Sequence, residues 1–222
     1  MIIKSLIIIP FFVLFSLKNV TAEKIRFKFS EKSLGDYVYK DLNDGGFLNF
    51  FNSSSSGNDD LVKNFSPMLG GKNLVISSKN NFIGFGIEEE IPLTDKTSIE
   101  IQWKIRELFL EHDERLNKRD FPVMLILKNK DQDLTIHYVW SSNFNEGEFW
   151  YDGDNSVYVA LDGKNTNASK ASKNKIKPND DFEVFFWETY VSQIDEIFVA
   201  VDTDDYGLET NAIIQKLIVE YM

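Results

Sequence analysis

The sequence predicts an all-β fold, a β-sandwich or jelly roll of about nine or ten short antiparallel strands. Three observations carry that expectation. Residues 99–105 alternate Ile99, Ile101, Trp103 and Ile105 with Gln102, Lys104 and an acidic residue, Glu100, which is the period of a half-buried strand. Residues 121–141, FPVMLILKNKDQDLTIHYVWS, set two β-rich apolar runs (123–127 and 134–140) around a polar connection, 128–133, as a hairpin does. The remaining apolar runs are short, punctuated by turn residues, and carry little helical periodicity.

Taken in order, residues 1–22 read as a signal peptide: Lys4 supplies a positive start, 6–17 an apolar core, and Val20-Thr21-Ala22 a small-residue cleavage site. That core is short for a spanning helix, so no stable membrane insertion is expected once the leader is cut. Residues 23–222 are expected to form one β-sandwich domain. Residues 23–30 alternate Ile25, Phe27 and Phe29 with basic residues and read as a first strand. In 33–51 the aromatics could pack on a sheet, but Gly45-Gly46 breaks any period. Residues 52–60, NSSSSGNDD, are a polar loop by composition. Strands follow at 74–77 and 82–87, the second carrying Gly84 and Gly86 as close-packing positions; Pro92 stops it and Thr94-Asp95-Lys96 turns the chain. Residues 108–119 read as a charged loop or short helical turn. Beyond the hairpin, 148–151 and 157–161 flank a turn at 152–156, and 164–175 reads as a mobile polar excursion. Residues 182–187, 194–201 and 213–221 complete the strands.

Composition excludes several function classes. The chain carries 24 basic and 35 acidic residues, a formal charge of −11, and the leader would remove only Lys4 and Lys18. Such a balance argues against tracking nucleic-acid phosphates or docking on anionic lipid. There is no cysteine, so disulfides, a cysteine nucleophile and a lipid-modified cysteine are all absent. His112 and His137 are the only histidines, and no HExxH pair, GxSxG elbow or phosphate-binding glycine loop occurs. Carboxylates abound, yet 194–198 does not reproduce the alternating acidic spacing of sandwich-fold glycanases.

Two kinds of candidate remain. The turn after the apolar strand 197–201 holds Asp202, Asp204 and Asp205, three carboxylates within four residues, which suits a structural calcium ion. The competing reading at both acidic turns, this one and Asp152-Gly153-Asp154-Asn155, is an Asx turn, which stays ahead at each; the metal reading carries more weight at Asp202 to Asp205. Trp140, Trp150, Tyr151, Tyr158, Trp187 and Tyr190 lie at or near strand ends, where a sugar ring could stack, although most aromatics in such a chain are core. Trp150 and Tyr151 are consecutive, so a strand would point them to opposite faces and expose one.

The runs SIEIQWKI, RDFPVMLILK, LTIHYVWS and IFVAVDTDD, in this order, resemble an exported bacterial family catalogued as domain of unknown function 3047. The resemblance covers about residues 74–222, with pattern points at Trp103, Asp120, Pro122, Tyr138, Trp140, Ser141, Asp202, Thr203 and Asp204. It implies a jelly roll of the galactose-binding type and a carbohydrate-like ligand, and it adds Asp120 to the ligand-binding candidates Trp140, Trp150 and Tyr151. The resulting expectation is an exported, non-catalytic binding module for a glycan or envelope component, in the periplasm or secreted. The alternatives are a glycan-active hydrolase with paired carboxylates and an envelope scaffold.

Overall fold

The computed structural model describes residues 22–27, 38–41, 65–67, 73–79, 82–106, 108–109, 120–206 and 208–222, with the backbone alone for 38–41 and 65–67. All but the last residue of the expected leader at 1–22, the expected loop at 52–60 and most of 33–51 and 108–119 therefore lie outside the described residues. No helix among the described residues is long and apolar enough to cross a membrane.

The protein is an all-β sandwich. The strands are β1 (Glu23–Arg26), β2 (Val38–Asp41), β3 (Phe65–Pro67), β4 (Leu74–Lys79), β5 (Phe82–Pro92), β6 (Ser98–Ile105), β7 (Phe121–Asn129), β8 (Leu134–Trp140), β9 (Phe149–Tyr151), β10 (Ser156–Asp162), β11 (Ser172–Ile176), β12 (Gln193–Asp202) and β13 (Glu209–Tyr221). Among the described residues one helix, α1 (Pro178–Phe185), interrupts them. The first sheet has the order β11-β6-β13-β4-β3, with β1 also on β13; the second runs β2-β5-β12-β7-β8-β10-β9.

The apolar periodicity makes the sandwich. In β6 the odd positions from Ile99 to Ile105 are buried and the even ones half-exposed, so one face turns to the core and the other to water. In β13, Ala212 and Ile214 point inward, and a bulge between Ile214 and Lys216 lets Leu217 and Val219 do the same one phase later. Facing them, Val123, Leu125 and Leu127 of β7 and Ile197, Val199 and Val201 of β12 supply the other half of the core. The alternate residues of these central strands are apolar too. Met124, Ile126, Phe198 and Ala200, with Val139 of β8 and Tyr158 of β10, form a separate cluster on the outer face of the second sheet.

Three expectations change. Residues 182–187 form no strand: Pro178 opens a helix whose first turn carries Asp180 and Asp181, and Phe182, Phe185 and Phe186 have i, i+3, i+4 spacing. The end of the polar excursion at 164–175 is ordered as β11, which pairs antiparallel with β6 from Ser172↔Trp103 to Ile176↔Ile99. Finally, β10 runs parallel to β8, in register from Ser156↔Thr135 onward, and pairs antiparallel with β9 on its other side. The intervening stretch 141–155 is long enough to return the chain to the start of the sheet, which a tight hairpin cannot do.

Gly86 fits its expected packing role. A Cβ there would lie 1.9 Å from the Ile197 carbonyl oxygen of the neighbouring strand, so only glycine allows this approach.

Candidate functional site

One end of the second sheet collects carboxylates. Asp120 immediately precedes β7, and Asp202 is the last residue of β12; Asp202 pairs with Phe121 on one side and with Phe82 on the other. Phe198 and Ala200 belong to the outer-face cluster, so strand alternation carries Asp202 to that same face. The chain then turns. The backbone amides of Asp205 and Tyr206 donate to the two Asp120 carboxylate oxygens at 3.0 and 3.3 Å. Thr203 is fully buried, its hydroxyl 3.1 Å from that of Ser78 in β4, so the turn is tied to the first sheet as well. Asp120, Asp202 and Asp204 each place one carboxylate oxygen within 4.8 Å of the others.

The electrostatics follow from that crowding. Asp202 is 8 % exposed, and its Oδ1 has no hydrogen-bond partner. Burial is the largest influence on it; hydrogen-bonding proximity to the Asp204 carboxyl and the charges of Asp204, Asp120 and Asp205 add to it, pushing its pKa up to about 9. Burial also raises the Asp120 pKa, against the two amides, which favour its ionised form. The donors are all hard oxygens, suited to a hard cation and not to a soft one. Sequence reasoning grouped Asp202, Asp204 and Asp205. The geometry replaces Asp205 with Asp120: Asp205 supplies its backbone amide, and its side chain is not among the converging carboxylates.

The second candidate surface lies along the edge strand β9. Trp150 turns to the outer face, where it stacks on Tyr158 (centroids 5.5 Å apart, planes 9° apart) and lies 6.3 Å from Phe121 and 4.5 Å from Phe144. Its neighbours on the strand, Phe149 and Tyr151, turn the other way and are 52 % and 50 % exposed. There the Phe149 ring meets that of Phe185 at 5.1 Å, and the Tyr151 hydroxyl donates to the Phe185 carbonyl at 3.1 Å. The chain continues from this contact into Trp187 and Tyr190, 77 % and 83 % exposed. The Tyr190 carbonyl accepts from Gln132 in the β7–β8 turn, anchoring the segment at 2.9 Å. Just before β9, Phe144, Gly147, Glu148, Phe149 and Trp150 line an open depression of about 550 Å³.

Trp140 is placed otherwise than a ligand platform requires. It is wholly buried, 6.4 Å from the Trp103 ring in the core between the sheets, and presents nothing to solvent. Tyr158 is buried as well, stacked between His137 and Trp150. Phe149 and Phe185 were not singled out from the sequence. The signal for Phe149 was available, because in a strand reading Phe-Trp-Tyr the two outer residues share a face. Phe185 depended on recognising a helix where an apolar run suggests a strand.

Residues 64–218 match the family described as Protein of unknown function (DUF3047). Comparison with curated proteins finds no match. Among solved structures, the chain is similar to the xyloglucanase domain of NopAA, a type three effector from Sinorhizobium fredii in complex with cellobiose. Identity is 9 %, TM-score 0.40, and the match covers 67 % of this chain and 82 % of that one. It is also similar to the carbohydrate recognition domain of Emp46p in its potassium-bound form, at 12 % identity and TM-score 0.38, covering 76 % and 93 %.

Proposed function

We propose, for a chain that belongs to the DUF3047 family of proteins of unknown function, that it is an exported binding module for a neutral glycan. The observation that carries this reading is the aromatic surface along β9 and the end of α1, where Phe149, Tyr151, Trp187 and Tyr190 are half or more exposed. Large aromatic rings in water cost free energy unless something covers them. The C–H face of a sugar ring stacks on such a ring, and the Tyr and Trp polar atoms remain available to its hydroxyls. The formal charge of −11 supports a neutral over an acidic polysaccharide, which the field of the protein would repel.

A hydrolytic reading fits less well. Retaining glycosidases hold their two carboxyl groups about 5–5.5 Å apart and inverting ones roughly 6.5–9.5 Å. Asp120 already accepts two backbone amides and Asp202 is buried, so this cluster offers no pair of carboxyl groups open to flank a glycosidic bond.

Affinity electrophoresis of the purified protein through gels carrying neutral or acidic polysaccharides tests the proposal. Retardation by a neutral polysaccharide is expected, with Tyr151→Ala and Trp187→Ala each weakening it by about tenfold, the loss of one well-placed aromatic contact. Migration unaffected by every polysaccharide, or retardation that both variants keep in full, would overturn it. Retardation by acidic polysaccharides alone would overturn the neutral-ligand assignment.

A further inference from the structure

We propose that Asp120, Asp202 and Asp204 form a binding site for a hard divalent cation of the calcium class. The site shares no residue with the aromatic surface, so it stands or falls separately from the glycan reading. It begins with three carboxylates converging from three places: the start of β7, the end of β12 and the turn beyond it. Convergence alone would only repel. The second observation is the Asp202 carboxylate, which is 8 % exposed, has Oδ1 without a hydrogen-bond partner, and faces the Asp204 and Asp120 carboxyl groups. A buried acceptor in that state is costly, and the cost falls when a cation takes the place of the missing donor.

The remaining geometry supports a cation. Asp120 is oriented by amides from Asp205 and Tyr206, as ligating carboxylates are commonly held by hydrogen bonds behind the ligand set. Thr203, between two of the proposed ligands, is locked to Ser78, so the backbone joining them is fixed in place. Calcium takes about six to eight oxygens, from carboxylates, main-chain carbonyls and water alike; soft metals would want sulfur or imidazole, which this cluster lacks. Asp204 is exposed, leaving a route by which an ion could enter from solvent.

The rival occupant is a proton shared between the Asp202 and Asp204 carboxyls. Thermal unfolding of the purified, chelator-treated protein separates the two. Calcium at about 1 mM should raise the midpoint by about 5 °C or more if the dissociation constant is near 10 μM. Isothermal titration should give one site per chain. Asp204→Asn, on an exposed side chain, should fold normally by circular dichroism and lose the calcium response; Asp202→Asn provides a second variant with the same expected loss. No shift with calcium, magnesium or manganese would overturn the proposal and leave the shared proton. A calcium response that both variants retain would overturn the assignment to these carboxylates.

Discussion

Asp202 shows how a single residue acquires its character from its surroundings. The same side chain in an unfolded chain ionises near 3.8, whereas here burial and the neighbouring carboxyls raise its pKa to about 9. The raised value sets the sign of a pH dependence. Between these two values the folded state holds a proton that the unfolded state has lost, so in chelator this residue makes stability fall as pH rises from about 4 to 9. Asp202→Asn removes the group, and the variant is expected to be the more stable protein at pH 8 in chelator, with a flatter pH profile. Urea midpoints at several pH values check this; a variant whose midpoint falls with pH as steeply as the parent contradicts it. Part of this was legible beforehand. Asp202 and Asp204 stand together in the chain, but Asp120 lies more than eighty residues upstream of Asp202, and no local pattern announces that β7 begins where β12 ends. Trp140 was misjudged for a related reason: a strand end is a position in the chain, and burial is a property of what packs over it.

At the scale of elements, α1 is held against the sandwich by hydrogen bonds from Tyr138 and Tyr151 among apolar contacts. Phe182 and Phe186 bury their rings, and the fully buried Tyr138 donates its hydroxyl to Asp181 at 2.5 Å. Burial, then the Asp181 charge and this hydrogen bond, drive the Tyr138 pKa well above that of a free phenol, so it remains a donor throughout the neutral range. Tyr138→Phe keeps the ring and removes the donor from a half-buried carboxylate. A loss of roughly 1–3 kcal/mol is expected from the shift of the urea midpoint at unchanged slope. A shift of a few tenths would show that water replaces the hydroxyl. The helix itself was hidden in the sequence because Phe-Glu-Val-Phe-Phe-Trp also suits a strand. Pro178 and the two aspartates of the first turn were the helix-start signals that could have decided it.

Across the whole molecule, Trp103 joins the parts. It is wholly buried in β6, its ring lies against Trp140 of the opposite sheet, and its indole N–H donates to Asp162 at the end of β10. Asp162 also accepts from Ser172 at 2.6 Å and Asn174 at 2.9 Å in β11, so one carboxylate links both sheets and an edge strand. Trp103→Ala would open a large cavity between the layers and is expected to cost about 3–5 kcal/mol in chemical unfolding. A change under about 1 kcal/mol would mean the sandwich collapses around the gap. The two outer-face regions meet at this scale as well. Phe121, directly after Asp120, reaches Trp150 and Tyr158, so the carboxylate end of the sheet and the strand bearing the aromatic surface share one stack of rings.

The sequence by itself determined the all-β class, the central β7–β8 hairpin, the inward face of β6 and the strand character of β12 and β13. Each of these follows from alternation or apolar runs within a few residues of chain, where side-chain direction is set by the pleat. It also determined that Trp150 and Tyr151 face apart, for the same reason. Only the tertiary structure decided that Trp140 is core, that β8 and β10 run parallel, and that Phe149 and Phe185 meet at the surface. It likewise brought Asp120 beside Asp202 and Asp204, because antiparallel pairing sets the first residues of one strand against the last of its neighbour. Strand pairing over long separations depends on burying both faces of the central strands at once, and that requirement is written in the assembled layers, not in any local stretch.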